Sequence, residues 1–278
     1  VRPLPQPESR TCPACASHGL EPSFEYHSPP AAETRFASID NARYHRRYDR
    51  CPRCGHFTGT QLDAPFLYTG EYVVSTYGSR EGLHARFEQV SALPPQRSDN
   101  HARAERVHRF AVARLGSARR ALLDIGAGLG VFPAAMRSLG WTCTALDPDP
   151  LAAAHLRDDL GFDAIHGLFD RTAVHGRFDV VTLNKVIEHA PDPVSLVHEA
   201  LAVVAPGGML YLEVPDGDAA QHAGPEREEF FIDHPHVFSP RSLAAVTDRA
   251  GATLLSDGRL REPSGKFTCF CFAEPHSG

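Results

Sequence analysis

The stretch Ala121-Leu122-Leu123-Asp124-Ile125-Gly126-Ala127-Gly128-Leu129-Gly130-Val131 decides the fold. A short, mostly apolar run is followed by glycine at every second position and then by helical spacing from Val131 to Leu139. That order predicts strand, tight turn and helix. Glycine at 126 and 128 lets the backbone approach a ligand, and the new helix points unpaired amides at that ligand's polar groups. The spacing is G-x-G-x-G, not the G-x-G-x-x-G of the dinucleotide fingerprint, so a nicotinamide ligand is the weaker reading.

The alternation continues downstream. Thr142 to Leu146 reads as a second strand ending at Asp147, an acidic residue about 20 positions on, where it suits a ribose diol. Leu151 to Leu160 reads as helix, and Ala164 to His166 as a strand ending in Gly167-Leu168-Phe169-Asp170. Phe178 to Leu183 is a further strand, Pro193 to Val204 a helix, and Met209 to Val214 a strand after the turn Pro206-Gly207-Gly208. Ser239 to Ala250 is the last helix, and Thr253 to Leu260 with Lys266 to Ala273 suits an antiparallel closing pair. Upstream, Val107, Phe110, Ala111 and Arg114 recur at helical spacing between Asn100 and Leu115. The fold class is therefore α/β, a doubly wound sheet with its ligand at the carboxyl ends of the strands.

The form D-I-G-A-G-L-G resembles motif I of class I S-adenosylmethionine-dependent methyltransferases, and the resemblance covers roughly residues 105–278. It implies a Rossmann-like methyltransferase sheet with S-adenosylmethionine as cofactor. Asp124, Gly126, Ala127, Gly128, Gly130, Asp147 and Pro148 would form the cofactor cradle. By the same resemblance Leu168 and Phe169 flank the adenine, and Asn184 lies beside the methionine moiety.

Seven cysteines stand at 12, 15, 51, 54, 143, 269 and 271, an odd count that argues against a disulfide framework. Cys12-Pro-Ala-Cys15 and Cys51-Pro-Arg-Cys54 each put two thiols on one turn, and two such turns complete the Cys₄ set of structural zinc. A redox C-x-x-C is the competing reading, but it does not explain two copies. Four protein ligands leave no open position, so the ion is expected to fold a small module with little core of its own. Between the pairs, Arg43 to Tyr48 is strand-like.

Methyl transfer is an in-line displacement, so the protein aligns the reactants and removes a proton where the acceptor carries one. After the fourth strand, Asn184-Lys185-Val186-Ile187-Glu188-His189 lacks the Asn/Asp-Pro-Pro-aromatic and Pro-Cys sequences of nucleic-acid base methyltransferases. His189 there either braces the loop or acts. The segment Phe230-Phe231-Ile232-Asp233-His234-Pro235-His236-Val237-Phe238-Ser239 sets an acid and two histidines before a helix. Histidine accepts protons near neutrality, and Asp233 is able to orient one ring. This segment resembles that of zinc-ribbon sugar C-methyltransferases. The resemblance gives His234 the general-base position, with Asp233, His236 and Tyr72 as further catalytic residues; Val237 stands where an aromatic is usual. A second metal held by Asp233, His234 and His236 is an alternative. Cys51-Pro-Arg-Cys54-Gly55 followed by Tyr68, Tyr72 and Tyr77-Gly78-Ser79 looks like the same family's zinc ribbon and tyrosine-bearing lid. Those enzymes carry a further carboxyl-terminal domain that helps hold a nucleotide, and this sequence stops at 278, so the resemblance extends to the chemistry more than to a nucleotide-sugar acceptor.

Composition agrees with this reading. The 278 residues are 42% hydrophobic and 22% charged, which excludes a disordered or fibrous chain. The length allows a zinc-ribbon module over 1–65, a lid and connecting segment over 66–104 and a cofactor domain over 105–278. A net charge of −6 with no long basic run argues against a nucleic-acid partner. No apolar run approaches a membrane span and the opening VRPLPQPESR has no signal-peptide core, so a cytoplasmic protein is expected. The function expected is methyl transfer to a carbon or heteroatom of a small molecule, plausibly in specialised metabolism. Two alternatives remain. One is an RNA or protein methyltransferase that docks through the ribbon, for which Arg43, Arg46, Arg47, Arg50 and Arg53 on one outward face would speak. The other is a non-methylating elimination or cyclisation on the same fold.

Overall fold

The structure, a computed structural model, describes residues 10–40, 44–60 and 71–276. Three antiparallel strands follow the first cysteine pair: β1 (Glu21–Tyr26), β2 (Arg46–Arg50) and β3 (Phe57–Gly59). The strand expected from Arg43 begins instead at Arg46; Arg43 itself lies outside the described residues. Tyr26, Tyr48 and Phe57 form the buried face, and Arg46 is buried among them. Its charge is answered by Glu33 at 3.0 Å and by the Tyr26 ring, whose centroid is 4.0 Å from the guanidinium carbon. A buried cation is retained only when so compensated.

Two helices follow, α1 (Glu71–Tyr77) and α2 (Arg80–Ser91), the second capped by the Ser79 hydroxyl. The boundary expected at residue 65, and Tyr68, fall in residues 61–70, outside the described residues. Helix α3 (Asp99–Leu115), capped by Ser98, carries the expected amphipathic stripe and buries Val107 and Ala111.

Next comes β4 (Ala121–Ile125), central in a seven-stranded sheet. Leu123 and Ile125 enter one core layer and Leu122 the other, as alternation requires of a strand covered on both faces. Around it run α4 (Val131–Ser138), β5 (Thr142–Asp147), α5 (Pro150–Ala154), which continues as a π-turn over His155–Asp159, β6 (Asp163–His166) and β7 (Phe178–Asn184). Then follow α6 (Pro193–Leu201), β8 (Val204–Pro215), α7 (Gly217–Ala220), β9 (His236–Val237), α8 (Pro240–Arg249), β10 (Ala252–Arg261) and β11 (Phe267–Pro275). The order is β10-β11-β8-β7-β4-β5-β6, parallel from β8 to β6, with β10 and β11 antiparallel at one edge. This is the doubly wound Rossmann-like sheet read from the sequence.

Strand β9 joins the other sheet, whose order is β1-β2-β3-β9. Phe57 pairs with Val237 and Thr58 with His236, so the histidine segment is the fourth strand of the amino-terminal sheet. Ser239, which caps α8, also donates to the Cys54 carbonyl, and Arg249 at the far end of α8 donates to the carbonyls of Pro13 and Ala14. The cysteine turns are thus fastened to both ends of one helix of the larger layer. Among the described residues, no helix is long and apolar enough to cross a membrane.

Candidate active site

A cavity of about 500 Å³ opens at the carboxyl ends of β4, β5 and β7. The strands place their last residues there because parallel strands all turn into loops on the same edge. Gly126 and Gly128 adopt φ of 73° and 51°, the left-handed region that glycine enters without strain. A Cβ on Gly126 would lie 2.5 Å from Val186 Cγ2, whereas one on Gly128 would meet nothing within 4 Å. The first glycine is therefore required by the neighbouring loop, and the second leaves the cavity floor open.

Asp124, Gly126, Ala127, Gly128, Asp147, Pro148, Leu168, Phe169 and Asn184 all line this cavity. Gly130 does not line it. Its φ is 77° and a Cβ would lie 2.6 Å from Leu160 Cδ1, so it is glycine to let α4 start against the π-turn. Asp147 accepts from the amides of Gly128 at 2.7 Å and Asp149 at 2.9 Å, which holds its carboxylate rigidly at the end of β5. Burial pushes its pKa up to about 6. Asp124 accepts from the Thr182 hydroxyl at 2.6 Å and the Asn184 amide at 2.8 Å, and burial raises it to about 7. Asn184 thus braces Asp124, while its own buried Oδ1 has no hydrogen-bond partner among the described residues. An orphaned acceptor beside two buried carboxylates suits a ligand with an ammonium and ribose hydroxyls.

Tyrosines of α1 and a histidine stand on the other side. Tyr72 and Tyr77 of α1 line the cavity, and Tyr72 stacks on Phe36. Burial holds the Tyr72 phenol well above its ordinary pKa, so it can donate a hydrogen bond but not act as a base. His189 stands on the cavity wall. His234, expected as the base, is packed beside it with ring centroids 4.9 Å apart, and it does not line the wall. His189 Nδ1 donates to the Asp233 carbonyl and His234 Nδ1 to the Glu229 carbonyl, so in each ring Nε2 is the nitrogen able to accept a proton. The Asp233 carboxylate is 3.7 Å from His234 Nε2.

His236 is the clear correction. It is 1% exposed on β9, its ring meets His56 at 3.1 Å, and burial lowers it to about 4. It is a core histidine held neutral, and among the described residues it joins no metal-ligating group with Asp233 and His234. What gathers instead is Glu188 with His189 and His234, one donor atom of each within 4.8 Å of the others. Glu188 is fully buried, and burial raises its pKa. Sequence reasoning also missed Arg103, Lys185 and Leu83, all on the cavity wall. Arg103, on α3, bonds the buried Glu213, 110 residues away. No local pattern carries such a pairing.

The four sulfurs of Cys12, Cys15, Cys51 and Cys54 lie within 4.8 Å of one another. Cys12 to Cys54 is 3.6 Å and Cys15 to Cys51 is 3.7 Å. Zinc–sulfur bonds of about 2.3 Å at tetrahedral angles require sulfurs about 3.8 Å apart, so the donor set fits that ion. A redox pair would need only one C-x-x-C, and here both turns converge on one point. Of the arginines whose outward clustering would have favoured a nucleic-acid partner, Arg46 is buried, Arg47 pairs with Asp49, Arg50 pairs with Asp218, Arg53 is exposed and Arg43 lies outside the described residues.

Residues 96–257 match a family model described as a methyltransferase domain. A ubiquinone biosynthesis O-methyltransferase of Azotobacter vinelandii is 31% identical over 142 residues, which cover 46% of this chain and 61% of that protein. One from Xanthomonas oryzae pv. oryzae is 30% identical over 168 residues, 58% of this chain and 63% of that protein. The chain thus spans less than two thirds of the length of these curated relatives. Among solved structures, the 1,6-didemethyltoxoflavin N1-methyltransferase of Burkholderia thailandensis superposes with a TM-score of 0.52 at 20% identity, over 92% of this chain and all of that one. The magnesium protoporphyrin IX methyltransferase of Synechocystis PCC 6803 gives 0.54 at 13%, over 74% and 99%. At these identities the two structures establish the shared fold.

Proposed function

The chain belongs to the methyltransferase-domain family, and on that premise we propose that it methylates a small molecule with S-adenosylmethionine, using a histidine as base and zinc as a structural ion. The carrying observation is Asp147, a buried carboxylate fixed at the end of β5 opposite the glycine turn, on the wall of one cavity. That both solved neighbours contain S-adenosylhomocysteine supports the choice of ligand. The small-molecule names of the relatives support the acceptor class, and a cytoplasmic enzyme of specialised metabolism is the setting this reading implies.

When bound, the cofactor supplies an electrophilic methyl group on a sulfonium. Asp147 would hold the ribose, Leu168 and Phe169 would flank the adenine, and Asn184 Oδ1 would accept from the ammonium. Tyr72 would donate to the acceptor and exclude water. His189 Nε2 would take the acceptor's proton as the methyl passes from the sulfonium, whose carbon–sulfur bond breaks to leave S-adenosylhomocysteine, and His234 beside it would support the charged ring; this reassigns to His189 the role first read for His234. The RNA reading loses its support with the arginine stripe, since phosphate tracking needs free cations on a surface.

Calorimetry with S-adenosylhomocysteine tests the reading. Asp147→Ala is expected to weaken binding by about 1.5–3 kcal/mol, the scale of hydrogen bonds to a charged group. Affinity of the wild type should rise with pH through about 6, where Asp147 ionises. The stability of the unliganded protein runs the other way. A raised folded pKa contributes stability below the ordinary value of 3.8 that is lost as pH climbs through 6. Unchanged affinity in Asp147→Ala removes the assignment.

A further inference from the structure

We propose a second metal site, distinct from the cysteines and from the cavity: a zinc-class divalent cation held between His84 of α2 and His155 of the π-turn, with Asp159 as third member. One donor atom from each of the three lies within 4.8 Å of the others. His155 is fully buried, and its Nε2 makes no hydrogen bond among the described residues. Nδ1 of His84 is likewise buried and unpartnered there, although the ring is half-exposed. The two rings meet edge to face with centroids 5.4 Å apart, and neither nitrogen is a hydrogen-bond partner of the other.

Two buried, unpaired imidazole nitrogens on neighbouring rings are each an unmet hydrogen-bonding group, and a cation that both rings reach would satisfy them. The rest of the cluster has the form of an outer shell. His155 Nδ1 lies 3.0 Å from Asp159 Oδ2, which fixes the tautomer and leaves Nε2 with its lone pair toward the seam. Asp159 is held in turn by Arg80, whose Nε and Nη2 donate at 2.8 and 2.6 Å. Because Arg80 occupies that carboxylate, the histidine nitrogens are the primary ligands, and Asp159 either orients His155 or lends one oxygen. Two imidazoles select a borderline cation such as Zn²⁺, Ni²⁺ or Cu²⁺ over Mg²⁺ or Ca²⁺. A π-turn is a rare local geometry that recurs at functional sites, and here it is what carries both His155 and Asp159.

The location gives the site a consequence. Leu83, next to His84, lines the cavity, and so do Tyr72 and Tyr77 of the preceding helix. The π-turn packs on Gly130 through Leu156 and Leu160. A cation across this seam ties the lid to the floor of the cavity.

The test is zinc stoichiometry of the full chain after equilibration with micromolar Zn²⁺ and removal of free metal, for wild type, His84→Gln and His27→Gln. Glutamine suits the half-exposed helix position, and thermal unfolding verifies that folding is unchanged. His84→Gln is expected to hold one equivalent less than wild type, whatever the cysteines hold, and to bind the added ion at least tenfold more weakly in titration. His27→Gln, which alters the exposed Glu25, His27 and His45 cluster, should match wild type. Equal zinc in wild type and His84→Gln overturns the proposal. So does loss of the added equivalent in His27→Gln alone, which puts the ion on the amino-terminal sheet.

Discussion

His189→Ala is expected to cut turnover by about 10²–10⁴ while leaving cofactor affinity nearly intact, the usual contribution of a positioned general base. The expectation rests on three observations. His189 is the histidine on the cavity wall. Its Nδ1 donates to the Asp233 carbonyl, so Nε2 carries the lone pair that proton transfer requires. Glu188 and His234 each bring a donor atom within 4.8 Å of it, so a positive ring has compensating groups at hand. His234→Ala should lower turnover less than His189→Ala, because it removes the neighbour and not the acceptor of the proton. The measurement is release of S-adenosylhomocysteine with an acceptor found by screening, across pH, beside calorimetry of the cofactor. The acid limb of the pH–rate profile should vanish in His189→Ala and persist in His234→Ala. The reverse order of effects returns the base to His234. Parallel loss of binding and turnover makes His189 a structural residue.

Local signals carried the sheet and the cofactor edge. Ala121 to Ile125 is the strand the sequence predicts, because a central parallel strand is covered on both faces and so reads as a continuous apolar run. Asp147 was legible for a related reason, since its place depends only on where one strand ends. The histidines were harder. His234 and His236 are two residues apart, and nothing local says that one faces the loop after β7 while the other pairs with His56 across a different sheet. That distinction is set by β9 pairing with β3, a contact between Phe57 and Val237 across most of the chain. The glycines divide in the same way. Three alternate glycines look equivalent in sequence, yet Gly130 answers to Leu156 and Leu160, residues whose position depends on the π-turn. Arg46 was no more legible: nothing in a stretch of alternate arginines says that one is buried under three tyrosine rings and Glu33.

Cys51→Ser should abolish zinc binding at the cysteines and unfold the amino-terminal sheet, and the loss should reach the active site. Zinc supplies on the order of 10 kcal/mol to small modules of this kind, far more than a three-stranded sheet gains from its own burial. The path to the site is explicit. The Tyr48 hydroxyl donates to the carbonyls of Phe231 and His234, the Gly59 amide to that of Pro235, and Glu33 accepts from the Ile232 amide. These bonds hold segment 231–237, which in turn presents the Asp233 carbonyl to His189 and sets His234 against its ring. Without the sheet the segment loses that support, so turnover should fall together with zinc content. Cofactor affinity should fall by less than about tenfold, or 1.4 kcal/mol, because the loops after β4, β5 and β7 build that part of the cavity without the ribbon. Metal analysis, limited proteolysis over residues 10–60 and calorimetry with S-adenosylhomocysteine read the three consequences separately. Wild-type protein purified without chelator and free of zinc would sink the metal assignment. A zinc-free variant that keeps full turnover would instead show that the ribbon does not hold the histidine segment, and the module's role would then lie elsewhere.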